Sequence, residues 1–135
     1  MNELVLDASV VVKWFKDEHE AGVEAARALQ AQYTRGELTI SVPPLLFLEL
    51  INIAARRWGW ATAALESLAE HMAAFGFQVR QPPLTRIAHW AGLGLTAYDA
   101  CYVALAEDRR VQLVTADDRI LAVAGQLARP LSTGL

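Results

Sequence analysis

Short apolar runs alternate along the chain with stretches whose alanines, leucines and charges recur at helical spacing, which predicts strands separated by helices. Leu4-Val5-Leu6 reads as a buried strand ending at Asp7. Residues 9–15 are expected to form a short helix and residues 18–33 a longer one, broken at Arg35-Gly36. A second strand over 38–42 (LTISV) is stopped by Pro43-Pro44. These prolines then open a helix that runs to about Arg57 and ends near Gly59, because a first helical turn makes no use of the N–H that proline lacks. A helix over 61–74 closes at Gly76, a third strand over 77–80 precedes Pro82-Pro83, and a helix over 84–91 ends in the break Gly92-Leu93-Gly94. Thr96 opens a strong helix to Asp108, residues 111–115 (VQLVT) make a fourth strand, and 117–125 the last helix, with a fifth strand expected at 130–132. No internal repeat or low-complexity tract interrupts the series, so the expected fold is α/β, with a doubly wound parallel sheet.

Composition narrows the function classes. The 135 residues suit one domain, and with 54% hydrophobic and 20% charged residues the chain builds a substantial core rather than staying disordered. The lone cysteine, Cys101, excludes an internal disulfide framework and fits a reducing cytoplasm, the expected location. Three histidines and one cysteine give no zinc-site spacing, and the opening MNELVLDAS carries Glu3 and Asp7, unlike a secretory signal. The best apolar run, 42–55, is broken by Pro43, Pro44, Glu49 and Asn52 and falls short of the roughly 18–20 residues of a membrane span, so no membrane role is expected. A net charge of −3 speaks against a nucleic-acid binder with a basic face. Acids that hold cations reverse the local sign, however, so the charge balance alone decides nothing.

The placement of the acids carries more. In open parallel sheets ligands collect beyond the carboxyl ends of the strands. Asp7 directly follows the first strand and Asp117 lies two residues past the fourth, while Glu49 and Asp99 occupy helices that begin on the same side. Glu49 lies in Leu45-Leu46-Phe47-Leu48-Glu49-Leu50-Ile51-Asn52-Ile53, apolar on essentially every face, and a helix of that kind is expected to be buried. A buried carboxylate is costly unless paired or bound to metal, and the nearest cations, Arg56 and Arg57, lie more than a turn away. Asn52, three residues on, is the expected hydrogen-bond partner of Glu49. The other three acids have structural alternatives. Asp7 or Ser9 fits an N-cap, Thr96-Ala97-Tyr98-Asp99 has the outline of a capping box, and Thr115 or Asp117 fits the cap of the last helix, with Asp118 an alternative to Asp117. Four carboxylates converging at one end of one sheet outweigh those separate explanations, and a set free of His and Cys suits Mg²⁺ or Mn²⁺.

Four segments, LVLDASVVVKWFKDE, PPLLFLELINIAARR, LTAYDACYVALAE and LVTADDRIL, together resemble PIN-domain proteins, specifically the VapC-type toxins of prokaryotic toxin–antitoxin pairs. The resemblance runs through nearly the whole chain and implies a single PIN domain over 1–135, with central strand order 3-2-1-4-5. It implies a metal-dependent endoribonuclease that hydrolyses RNA phosphodiester bonds with Mg²⁺ (or Mn²⁺), and it places the catalytic, metal-holding acids at Asp7, Glu49, Asp99 and Asp117, supported by Thr115. Ser9 and Asn52 are further supporting candidates. It also implies an RNA substrate, a cognate antitoxin protein that blocks the cleft, and a homodimer. The alternative is a non-catalytic PIN-like module that binds a partner protein or RNA. A receiver-type domain is disfavoured, because it needs a lysine near its last strand and this chain has only Lys13 and Lys16.

Other features attract blander readings. His19, His71 and His89 share no spacing and are expected at the surface or in caps, and Cys101 in the core. Trp14, Trp58, Trp60 and Trp90 suit packing or a protein interface better than base stacking. Gly92-x-Gly94 follows a helix, unlike a dinucleotide fingerprint, and Arg56-Arg57 and Arg109-Arg110 fit solvated helix ends as well as phosphate contacts.

Overall fold

The computed structural model describes residues 2–16 and 21–132. Its centre is a parallel five-stranded sheet of order β3-β2-β1-β4-β5, the order the resemblance implied. The strands are β1 (Asn2–Leu6), β2 (Leu38–Val42), β3 (Gln78–Val79), β4 (Gln112–Thr115) and β5 (Ala128–Pro130). β1 lies in the middle, paired with β2 on one side and β4 on the other, which is why Val5 and Leu6 have no exposed surface and read as a continuous apolar run. The chain winds one way from β1 to β3 and the other way from β4 to β5, so strand order reverses between β1 and β4. That reversal opens a crevice at their carboxyl ends.

Helices α1 (Ala8–Val11), α2 (Val23–Thr34), α3 (Leu45–Asn52), α4 (Thr62–Ala73), α5 (Leu84–Gly92), α6 (Ala97–Arg109) and α7 (Asp118–Val123) connect the strands. α6 is the most deeply placed: Ala100 to Ala106 are all buried, packed between α5 on one side and β1 and β4 on the other. Its alanines keep that layer thin while favouring the helix. Trp14 and Trp90 fill the core as expected, and each finds an acceptor, Ala26 O at 2.8 Å and Glu107 Oε1 at 3.1 Å. Cys101 is buried too. Among the described residues no helix is long and apolar enough to cross a membrane.

Several expectations need correction. The short first helix is α-helical only to Val11 and tightens into a 3₁₀ turn over Val12–Trp14. The longer one is observed from Val23 after Gly22, whose positive φ of 88° suits glycine; its expected start at Glu18, like His19, lies outside the described residues. The helix after Pro43-Pro44 ends at Asn52 and continues as a π-helical turn, Ile53–Arg57. β5 lies two residues earlier than expected, because Ala128, Arg129 and Pro130 pair with Leu113, Val114 and Thr115 and put Ala128 in the core. Pro130 is tolerated there because β5 is an edge strand. α3 is not buried all round: Leu48 is 66% exposed and Asn52 is exposed as well. Arg109 is no solvated helix end, since it grips Glu3 with two bonds of 2.9 and 3.0 Å and ties α6 to β1, while Ser41 on β2 donates to the same carboxylate at 2.7 Å.

The contrast between the buried sheet and the open side of α3 gives a direct test. Ile40→Ala, in the fully buried centre of β2, should cost about 2–5 kcal/mol by urea unfolding. Leu48→Ala should stay within about 0.5 kcal/mol, because its side chain is already in water.

Candidate active site

At the β1/β4 crevice an open cleft of about 380 Å³ is lined by Asp7, Glu49, Asp99 and Asp117 together with Ser9, Lys13, Arg57 and Tyr102. The four acids come from four places: the end of β1, the second turn of α3, the first turn of α6, and the residue preceding α7. The register explains the first contact across the sheet. Leu6 pairs with Val114, so the next residues, Asp7 and Thr115, stand side by side.

Asp7 is only 4% exposed, and hydroxyls hold both its oxygens. Ser9 Oγ donates to Oδ1 at 2.6 Å and Thr115 Oγ1 donates to Oδ2 at 2.5 Å. Each hydroxyl in turn accepts a backbone N–H from the loop after β4, Ala116 N to Ser9 and Asp117 N to Thr115, both at 2.9 Å. Asp7 occupies the N-cap position of α1, but its side chain makes no cap bond there. Its two hydroxyl partners, Ser9 and Thr115, are two of the three residues named from sequence as supporting candidates, Asn52 being the third.

Glu49 is half-buried, and its partner is not Asn52. Tyr102, on α6 and only 1% exposed, donates its hydroxyl to Glu49 Oε1, while Asn52 is exposed and absent from the cleft lining. Helical spacing could name only a candidate partner on α3 itself, not the neighbouring helix that supplies the bond. The Thr96 hydroxyl caps α6 by accepting from Asp99 N at 3.0 Å, so the cap uses the backbone of Asp99 while its side chain lines the cleft. Asp117 does both jobs at once. Its Oδ1 accepts from Arg119 N and Ile120 N at 2.9 and 3.0 Å, and it faces the cleft, whereas Asp118 is exposed and outside the lining.

Sequence reasoning also missed Lys13, only 5% exposed, at the cleft, and Tyr102. The signal for Tyr102 was present: it lies three residues after Asp99, on the same face of one helix.

The acids burden one another electrostatically. Burial pushes the Asp7 carboxyl up to about 6, with Asp117 and Asp99 adding to it and the Ser9 and Thr115 hydroxyls opposing it. Burial also raises Glu49, partly offset by the Tyr102 hydroxyl and reinforced by Asp99. Asp99 is raised by burial and by Asp117, while Thr96 and Arg119 pull it back. Several carboxylates that resist ionisation in one cleft lined by oxygen donors suit a hard divalent cation, whose charge removes the repulsion. As the side chains stand, no group of three or more His, Cys, Asp or Glu that could hold a metal ion is found among the described residues. Mg²⁺ does not require such a cage, since it keeps several waters and takes one or two carboxylates directly.

A carboxyl whose pKa is higher folded than unfolded holds more protons in the folded state, so stability falls as pH rises through the interval. For Asp7 that interval runs from 3.8 to about 6. Its ionisation should cost the metal-free protein about 3 kcal/mol above pH 6 and nothing below about pH 3.5. The stability of Asp7→Asn minus that of the unmodified protein, measured in EDTA, should therefore rise between pH 4 and 7. A constant difference across that range would refute the burial argument.

The comparisons with known proteins bear on the family and the fold. The PIN domain family model matches residues 4–126. No curated protein matches the chain. Among solved structures, PAE2754 from Pyrobaculum aerophilum is 28% identical with a TM-score of 0.67, covering 96% of this chain and 91% of its own. VapBC2 from Rickettsia felis, solved bound to a DNA fragment from its promoter, has a TM-score of 0.65 over 96% of this chain and 99% of its own. At 11% identity that second likeness concerns the fold alone. With a parallel sheet of order 3-2-1-4-5, four acids at its reversal point and a family match over residues 4–126, this chain belongs to the PIN-domain family.

Proposed function

We propose that the protein is a Mg²⁺- or Mn²⁺-dependent endoribonuclease that hydrolyses RNA phosphodiester bonds as the toxin of a toxin–antitoxin pair. The observation that carries the reading is the delivery of Asp7, Glu49, Asp99 and Asp117 from four separate elements to one cleft, although burial raises the carboxyls of Asp7, Glu49 and Asp99 there. Folding brings such groups together at a cost to stability, and enzymes keep costly charge clusters where chemistry uses them. The resemblance of four segments to VapC-type toxins supplies the reaction class.

Asp7, Glu49 and Asp99 are the residues assigned to hold the cation, directly or through water, and Asp117 completes the site with the oxygen its cap leaves over. A cation held there would supply Lewis acidity to the phosphodiester and to an attacking water. Ser9 and Thr115 hold Asp7 in one orientation, so that it needs no reorganisation when a cation arrives. Arg57 brings positive charge to the lining of an acidic cleft that must accept a polyanion, and Lys13 adds its charge from a buried position at the same cleft. This local charge bears on the reading more than the net charge of −3 does.

A protein partner is part of the same proposal. Phe47, Ile51, Met72, Phe77 and Val79 line a mainly apolar groove beside the edge strand β3, and Leu48 stands exposed on the same helix as Phe47 and Ile51. An apolar surface of this kind suits an antitoxin segment, and the exposed Leu84, Leu93 and Tyr98 suit a second copy of the chain. The proposed setting is the cytoplasm.

The reading makes two predictions for purified protein on total RNA. EDTA should abolish cleavage, and Mg²⁺ or Mn²⁺ should restore it. Asp7→Asn and Asp99→Asn should each lower the rate by roughly 10²-fold or more, the effect of losing several kcal/mol of charge stabilisation, with circular dichroism unchanged. Cleavage that survives either substitution, or survives EDTA, would overturn the metal-dependent mechanism, and an absence of cleavage with both Mg²⁺ and Mn²⁺ would favour a non-catalytic module that binds RNA or a partner protein.

A further inference from the structure

We propose that Tyr102 is a positioning residue for Glu49, and so for cation binding in the cleft; the proposal rests on the metal-dependent reading above. Three observations carry it. Tyr102 is the largest fully buried side chain, yet its hydroxyl ends at the cleft wall and donates to Glu49 Oε1. Glu49 reaches the cleft on a four-atom side chain from α3, a helix whose outer side is open to water, so nothing in its own helix fixes its rotamers. Asn52, the one polar neighbour a turn away, points to solvent instead.

The hydroxyl therefore takes one oxygen of Glu49 and leaves the other for the cleft. Asp99 and Tyr102 lie three residues apart on α6 and both line the cleft, so α6 contributes one acid directly and orients a second acid on another helix. A phenol buried in the core is a rigid support, because its ring is held by packing and only the O–H remains to rotate. This division, in which a buried group orients a ligand without touching the ion, is how supporting partners raise metal affinity.

The obvious alternative is that Tyr102 is core filling whose hydroxyl merely found an acceptor. Tyr102→Phe separates the two, since it keeps the ring and removes one atom. Mn²⁺ binding to the metal-free protein, measured by calorimetry without RNA, should weaken about tenfold or more in Tyr102→Phe. The cleavage kcat should fall while KM for RNA stays close to its original value. In a Glu49→Gln background, Tyr102→Phe should cause no further loss of Mn²⁺ affinity, because there is no longer a ligand to position. Equal Mn²⁺ affinity in the parent protein and Tyr102→Phe, or a loss that persists undiminished beside Glu49→Gln, would overturn the positioning role and leave the nuclease reading intact. A parent protein that binds no Mn²⁺ would overturn both.

Discussion

The structure of the site depends on keeping one carboxylate, Asp7, at the carboxyl end of the central strand, almost wholly out of water. An unsupported charge there would be expelled or neutralised. What retains it is a pair of hydroxyl bridges, each passing a backbone N–H of the β4–α7 loop through Ser9 or Thr115 to one oxygen of the carboxylate. The bridges do two things together. They compensate part of the desolvation, and they lock the loop after β4 against the start of α1, which brings Asp117 beside Asp7. Burial still outweighs the hydroxyls, and Asp7 retains a carboxyl pushed up to about 6.

The rest of the cleft is arranged around that point by helix starts. The cap of α6 uses the Thr96 hydroxyl and the backbone of Asp99, and the cap of α7 uses one oxygen of Asp117. Capping and site formation therefore do not compete here: Asp117 satisfies orphan helix N–H groups and faces the cleft, while Thr96 caps α6 and leaves the Asp99 carboxylate to the cleft. The positive ends of the two helices also temper the crowding of negative charge. Remote from this, the Glu3–Arg109 pair ties the far end of α6 to β1, with Ser41 of β2 joining through the same carboxylate. The helix that carries Asp99 and Tyr102 is thus anchored to the central strand at its other end.

Much of this was legible in the sequence, and for local reasons. Apolar runs, proline pairs and glycine breaks located the strands and helices because burial and backbone chemistry act residue by residue. Acids placed just after strands had to share an end of a parallel sheet. Errors arose where a neighbour distant in sequence decided the outcome. β5 moved by two residues because pairing with Leu113, Val114 and Thr115 selects its register, and Leu48 stands exposed because no element among the described residues covers that side of α3.

Glu49 shows the division most clearly. The sequence by itself determined that a carboxylate sits in an apolar helix with no nearby cation, and hence that it required a partner or a function. It also determined that acids would gather at one end of the sheet, since strand direction and chain order require it, while leaving Asp117 and Asp118 as alternatives. Only the tertiary structure decided that the partner is Tyr102, 53 residues further along the chain, rather than Asn52 one turn away. Helical periodicity specifies which side of a helix a residue occupies, whereas the hydrogen bond it makes depends on which other helix packs against that side.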